Sequence, residues 1–244
     1  MSLICWSGGC DSTLVLYDLA KNSSSLWPVR AISFVHAQIA AQAESKAARE
    51  KILEWMKSKG FHIQHTTVEI SHHGDFYCEK YGLGQPQIWL LNAASYLLEE
   101  EDLYVGWIKG DCAINYKADI GMIFEGLRRT GERRGKLMLP LTHDDKAEVI
   151  KRLKDAGLYD LCWYCETPMD GKPCGACESC ITHKVALFKN ELRATTLELR
   201  ENATKAAEDS LLTNKLNYDE KANCERVDKT ASPTKTASPT EAAT

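Results

Sequence analysis

Short apolar runs and longer amphipathic stretches take turns along most of this chain. Leu3-Ile4-Cys5-Trp6 is a continuous apolar run of strand length, and Leu14-Val15-Leu16-Tyr17-Asp18-Leu19-Ala20 follows with the density of a buried helix. Residues 29–36, rich in β-branched and aromatic side chains, predict a second strand. Residues 37–59 predict a helix with apolar positions Ala48, Ile52, Leu53, Trp55 and Met56, closed by Gly60. A strand over 61–70, an apolar helix over 88–99, a strand over 103–107 and a helix over 119–127 come next. A short strand over 137–141 then leads to a helix that runs to Gly157, with Thr142 or Asp144 as its cap. Alternation of this kind predicts an α/β fold, a parallel sheet with flanking helices. Ligands of such sheets sit beyond the carboxyl ends of the strands. That position is taken by the loop after Trp6 and by residues 108–116, which include Lys109, Asp111 and Asn115.

The loop after Trp6 is Ser7-Gly8-Gly9-Cys10-Asp11-Ser12-Thr13. Strand, glycine turn and helix together form a cradle for an anion, because glycine lets the backbone approach closely and the first N–H groups of the helix face the ligand. Ser7, Ser12 and Thr13 can donate to phosphate oxygens, and Asp11 can help hold a magnesium ion. A glycine turn capped by Asp11 or Ser12 explains the same residues without a ligand. The string is neither a P-loop, since Gly-Lys-Ser/Thr is absent, nor a dinucleotide fingerprint, since Gly8 and Gly9 are adjacent.

Composition narrows the classes. The chain has 244 residues and a formal net charge of −4, which gives no global attraction to nucleic acid or anionic membrane. No apolar run reaches the ~20 residues of a membrane span, and no secretory pattern opens the chain. A cytoplasmic protein is expected. The one basic run, 128–136, reads as a solvated turn before it reads as a phosphate or RNA contact, and His72-His73 reads as a loop before a metal site. Five of the ten cysteines fall between Cys162 and Cys180. In a reducing compartment such a cluster points to metal rather than disulfides. Cys165, Cys174, Cys177 and Cys180 supply four soft ligands with no position left open, the pattern of one structural zinc per chain; an iron–sulfur cluster is the competing occupant, and Cys162 is a spare thiol that could exchange with Cys165. Residues 191–216 are charged and could form a marginal helix, whereas the Lys-Thr-Ala-Ser-Pro-Thr repeats of 229–240 are expected to be disordered.

The Ser-Gly-Gly-x-Asp-Ser-Thr string resembles the PP-loop of the ATP pyrophosphatase superfamily. Trp163-Tyr164-Cys165 and Lys172-Pro173-Cys174-Gly175-Ala176-Cys177-Glu178-Ser179-Cys180, with Pro140-Leu141 and Lys146-Ala147-Glu148-Val149-Ile150 between, narrow the resemblance to the 7-cyano-7-deazaguanine synthase (QueC-like) family. The resemblance runs from about Ser2 to Phe188. It implies an ATP-binding domain over 1–157, a zinc-knot lobe over 158–190 and an appended 191–244. It also implies an ATP- and Mg²⁺-dependent ligase in which ATP activates 7-carboxy-7-deazaguanine as an acyl adenylate, ammonia displaces AMP to give an amide, and a second activation dehydrates that amide to the nitrile. Ser7, Gly8, Gly9, Cys10, Asp11, Ser12 and Thr13 would hold pyrophosphate and magnesium, with Asp11, Ser12 and Lys146 in catalytic positions. Gln38 and Asp111 are the matched residues of the binding segments.

Other segments depart from that pattern. Val35-His36-Ala37 stands where the family has Asp-Tyr-Gly, Gln85-Pro86-Gln87-Ile88 lacks the family's arginine, and Gly106-Trp107-Ile108-Lys109-Gly110-Asp111 stands where the family's fourth-strand loop reads Gly-x-Asn-x-x-Asp, without the asparagine. Three readings therefore stay open. One is the nitrile-forming synthase or a relative that passes a 7-deazaguanine carboxylate to another acceptor. The others are a different PP-loop enzyme that modifies tRNA, and a zinc-stabilised binding module. A small-molecule substrate and ammonia are the expected partners, with no membrane and no nucleic acid; a homodimer is compatible with the sequence.

Overall fold

The computed structural model describes residues 2–35, 40–70, 85–132 and 134–228, side chains excepted at 85–86 and 209–228. Gln38, His72, His73, Cys78 and the repeats of 229–240 lie outside the described residues. Five strands, β1 (Ser2–Cys5), β2 (Val29–Val35), β3 (Ile63–Glu69), β4 (Asp102–Tyr104) and β5 (Leu137–Met138), form one sheet in the order β3-β2-β1-β4-β5. Every pairing is parallel. The expected parallel sheet with flanking helices is present.

The pleat explains why β1 is apolar from Leu3 onward. Leu3 and Cys5 point into one core, with Ile32, Leu90, Leu97, Leu103 and Phe124. Ile4 and Trp6 point into the other, with Leu14, Leu16, Ile52, Met56, Val149 and Leu153. A central parallel strand is buried on both faces, so alternation gives way to a continuous apolar run. Helices α1 (Cys10–Ala20), α2 (Gln42–Ser58) and α6 (Lys146–Asp155) cover one face, and α3 (Gln85–Ser95) and α5 (Lys117–Thr130) the other. The short α4 (Cys112–Asn115) lies in the connection after β4. Each fully buried aliphatic side chain contributes roughly 1.5–3 kcal/mol, against about 1 kcal/mol for a side-chain cap. Core burial, not capping, holds these helices; α1 and α2 have no side-chain cap at all.

Boundaries moved where turns intervene. Helix α2 starts at Gln42, not at 37. Strand β4 ends at Tyr104, which releases Val105 to Trp107 into the loop at its carboxyl end. The cap of α6 is neither Thr142 nor Asp144. Asp145 Oδ1 accepts from Glu148 N at 2.9 Å, because a turn closed by Asp144 N donating to Leu141 O delays the helix, while Asp144 is engaged by Arg152. Gly60 (φ 81°) and Gly157 (φ 72°) end their helices in the left-handed conformation that L residues resist. The basic run begins inside α5, where Arg128 and Arg129 both pair with Glu125.

The chain divides into two compact units, Met1–Asn190 and Glu191–Thr244. Helix α7 (Glu178–Asp228) includes all the described residues of the second unit, and side chains 191–208 are exposed. Among the described residues no helix is long and apolar enough to cross a membrane.

Candidate active site

Strand order sets the place of the site. The chain leaves β1 toward β2 and later returns to pair β4 on the other side of β1, which opens a crevice at the carboxyl ends of the two central strands. The loop of residues 7–13 sits at the end of β1, and α1 starts at Cys10 with Gly9 as an N-cap that has no side-chain bond. The sequence alternative of a turn capped by Asp11 or Ser12 is therefore not what forms.

The loop's carbonyls are all turned into the protein. Ser33 Oγ donates to Trp6 O at 2.5 Å, Arg49 Nη1 to Ser7 O at 3.0 Å, Trp163 N to Gly8 O at 3.1 Å, and Thr13 N to Gly9 O at 3.0 Å. In a trans peptide the next N–H points the opposite way. The N–H groups of Gly8, Cys10, Asp11 and Ser12 have no partner among the described residues. Ser7 Oγ and Ser12 Oγ lie 3.0 Å apart at the rim, within reach of an anion. Two residues of the string do not reach it with their side chains. Thr13 is fully buried and accepts from the Trp6 indole Nε1–H at 3.0 Å, and the Cys10 thiol is packed in the core.

Asp11 and Lys146, from α1 and the first residue of α6, meet at 2.6 Å. Burial is the largest single influence on Lys146 and depresses it, yet the charge and hydrogen bond of Asp11, with Cys10 and Asp111 added, together raise the ammonium pKa. Asp11 Oδ1 is buried without a hydrogen-bond partner. Asp111 accepts from Ile108 N at 2.8 Å, and burial, with the Asp11 charge added, raises its carboxyl. Gly106 lies where the β4 loop crosses α1: a Cβ there would sit 2.8 Å from Ser12 N and 2.9 Å from the Asp11 carbonyl carbon. Gly106→Ala is expected to push that loop off the first turn of α1. Calorimetric titration should then show pyrophosphate affinity reduced by about tenfold, beside a stability loss of about 1–3 kcal/mol.

The cysteine lobe closes the crevice from the other side. The sulfurs of Cys165, Cys174, Cys177 and Cys180 all lie within 4.8 Å of one another and could hold a metal ion. Gly171 (φ 69°) and Gly175 (φ 74°) make the bends, and Lys184 Nζ donates to Gly175 O at 3.1 Å. The Thr167 hydroxyl, with the N–H groups of Ala176 and Cys177, brings the Cys174 thiol down to about 5. Cys162 does not join the four. Its thiol donates to Leu158 O at 3.4 Å and bonds Cys10, which raises its own pKa and lowers that of Cys10. The lobe is fastened to the loop through Trp163, whose N–H holds Gly8 O and whose indole donates to Cys165 O at 2.7 Å. His183 stacks on Tyr164 at 3.6 Å and bonds the Tyr159 hydroxyl at 2.7 Å. Between loop and lobe lies a cavity of about 790 Å³, lined among others by Asp11, Asp111, Lys146, Trp107, Glu166 and Glu178.

Residues 88–191 match the family model of the queuosine biosynthesis protein QueC, a span that holds Asp111, Lys146 and the four cysteines and begins beyond the 7–13 loop. Over that span, less than half of the chain, the sequence is similar to QueC. No curated protein sequence matches it. Among solved structures it is similar to the U34-tRNA thiolase NcsA from Methanococcus maripaludis with its [4Fe-4S] cluster, at 15% identity and TM-score 0.47, over 80% of this chain and 66% of that one. It is also similar to a 4-thiouridine synthetase in complex with RNA and bound ATP, at 17% identity and TM-score 0.49, over 81% of this chain and 51% of the synthetase. The chain thus spans between half and two thirds of these structures.

In this QueC-like protein the structure brings Ser7, Gly9, Asp11, Ser12, Asp111 and Lys146 to one cavity. Gly8 and Cys10 are not among the residues that line it, and Gln87 Oε1 is buried without a partner among the described residues. Sequence reasoning missed Arg49, Ser33 and His65. His65 Nε2 lies 2.8 Å from Ser33 Oγ, whose proton goes to Trp6 O, so the imidazole donates from Nε2. Burial, with Arg49 nearby, lowers His65 to about 4. The unfolded chain takes up this proton near pH 6.5, so the neutral-ring contribution is complete above about 6.5 and is lost as pH falls toward about 4. The melting temperature should fall across that window, and less in His65→Gln.

Proposed function

We propose that this QueC-like protein cleaves ATP between the α- and β-phosphates to adenylate a carboxylate of the 7-deazaguanine class, that ammonia displaces AMP to give the amide, and that a second ATP adenylates the amide oxygen, whose departure as AMP leaves the nitrile. The observation that carries this reading is the loop whose carbonyls are all held back while the N–H groups of Gly8, Cys10, Asp11 and Ser12 are left without a partner among the described residues, next to Lys146. Such a cradle stabilises the charge that develops on a departing pyrophosphate without reorganising at the moment of reaction. Ser7, Ser12 and the N–H groups of Gly8, Cys10, Asp11 and Ser12 hold its oxygens. Lys146, kept protonated by Asp11, adds a positive charge on the opposite side. The orphaned Oδ1 of Asp11, with Asp111 nearby, is a hard oxygen donor set suited to Mg²⁺, which when bound would neutralise the phosphates.

The four-cysteine group fits a structural zinc. Around one tetrahedral ion with Zn–S of about 2.3 Å the sulfurs are spaced at about 3.8 Å, and Cys174 and Cys180 lie 3.9 Å apart. A multi-iron cluster spreads its thiolates over separate corners and needs a wider cage. The test is product mass spectrometry with ATP, Mg²⁺, 7-carboxy-7-deazaguanine and ammonium. AMP with the nitrile is expected. AMP without the nitrile means that the adenylate goes to another acceptor, and no AMP with this acid contradicts the substrate assignment.

A further inference from the structure

We propose that Arg49 is a positioning residue for pyrophosphate, acting on the anion through the Ser7 carbonyl. The inference rests on the reading in which residues 7–13 grip pyrophosphate. Arg49 lies in the middle of α2 and is only 5% exposed. A buried guanidinium is ordinarily paired with a carboxylate, since desolvating an unpaired charge is costly. Among the described residues none pairs with Arg49; the adjacent Glu50 is exposed and faces Lys46 at 4.0 Å. Instead Arg49 Nη1 donates to Ser7 O, and its stem covers Gly8, where a Cβ would lie 2.9 Å from Arg49 Cγ. Gly8 has φ of 85°, so this contact needs glycine on both counts.

Two consequences follow for an anion. Ser7 C=O and Gly8 N–H share one trans peptide, so the guanidinium that holds the carbonyl back turns the N–H to the side away from Arg49. A flip of that peptide would put an oxygen lone pair where a phosphate oxygen belongs. The guanidinium cannot lose its proton, so it also leaves a fixed positive charge directly behind the loop. The neighbouring His65 stays neutral and adds none above about pH 4. A bound polyphosphate would be the counter-charge that this buried cation lacks among the described residues.

Isothermal titration of Arg49→Gln and Arg49→Lys with inorganic pyrophosphate, ATP and AMP tests this. The glutamine variant should bind pyrophosphate and ATP about ten- to a hundredfold more weakly, with AMP affinity and melting temperature near wild type. The lysine variant should recover part of the loss. Wild-type pyrophosphate affinity in folded Arg49→Gln, or an equal loss for AMP, would overturn the assignment. Should the glutamine variant not fold, the lysine variant decides on the same comparison of pyrophosphate with AMP. Wild-type protein that binds no pyrophosphate would instead remove the pyrophosphate reading itself.

Discussion

Asp11→Asn is expected to cut AMP formation by about a thousandfold or more while the protein stays folded. The carboxylate has two duties that an amide cannot share. Its Oδ2 holds Lys146 at 2.6 Å and keeps the ammonium charged, and its unpartnered Oδ1 is the buried oxygen best placed for a magnesium ion. The amide is the same size, so packing against α6 survives. Removing the charge leaves Lys146 without its counter-ion in a site that is mostly closed to water, at a cost of about 1–3 kcal/mol. That is a fraction of the stability expected of a domain with two full cores. Steady-state AMP release and a thermal melt, measured on one preparation, check both halves. Activity within tenfold of wild type would remove Asp11 from the chemistry, and a collapsed melt would show that the ion pair is structural.

Cys177→Ser is expected to reduce bound metal, stability and nucleotide affinity together. A serine hydroxyl is a poor ligand for a soft ion, and four-thiolate zinc sites contribute folding free energy directly. Around this site the lobe has little else: Cys165 and Cys180 are buried, but Cys174 and Cys177 are half-exposed and no large apolar cluster surrounds them. The third effect is specific to this fold. Trp163 bonds Cys165 O through its indole and Gly8 O through its N–H, so a loosened lobe releases a carbonyl of the phosphate cradle. Metal content by mass spectrometry, melting temperature and ATP affinity should fall in parallel. Full metal occupancy would exclude Cys177 as a ligand, and unchanged ATP affinity in a metal-depleted variant would break the link through Trp163.

Much of this architecture was legible in the chain. The continuous run Leu3 to Trp6 marked the central strand because both faces of a parallel sheet are dry, and the cysteine spacing marked the group that the fold assembles. Asp111 was marked by its position beyond the carboxyl end of the fourth strand and by the resemblance, and it lines the cavity. What escaped depends on contacts distant in sequence. Arg49 sits in a helix rich in lysine and glutamate, where a charge is normally solvated, and only the packing of α2 against the loop buries it. Gly106 looked like a strand residue until β4 proved short enough to leave it crossing α1. Thr13 looked like a third hydroxyl for phosphate, but helical geometry turns it to the Trp6 indole inside. Asp145 displaced both expected caps because local turn geometry, not residue preference, decided where α6 begins.

The central claim is that the cradle of residues 7–13 binds pyrophosphate released from the α-phosphate. The most direct measurement is the phosphorus inventory of a complete turnover, followed by ³¹P NMR with Mg²⁺, ATP and the carboxylate substrate. One AMP and one pyrophosphate should appear for each ATP consumed, with none in the absence of the carboxylate. ADP and inorganic phosphate in their place would contradict it.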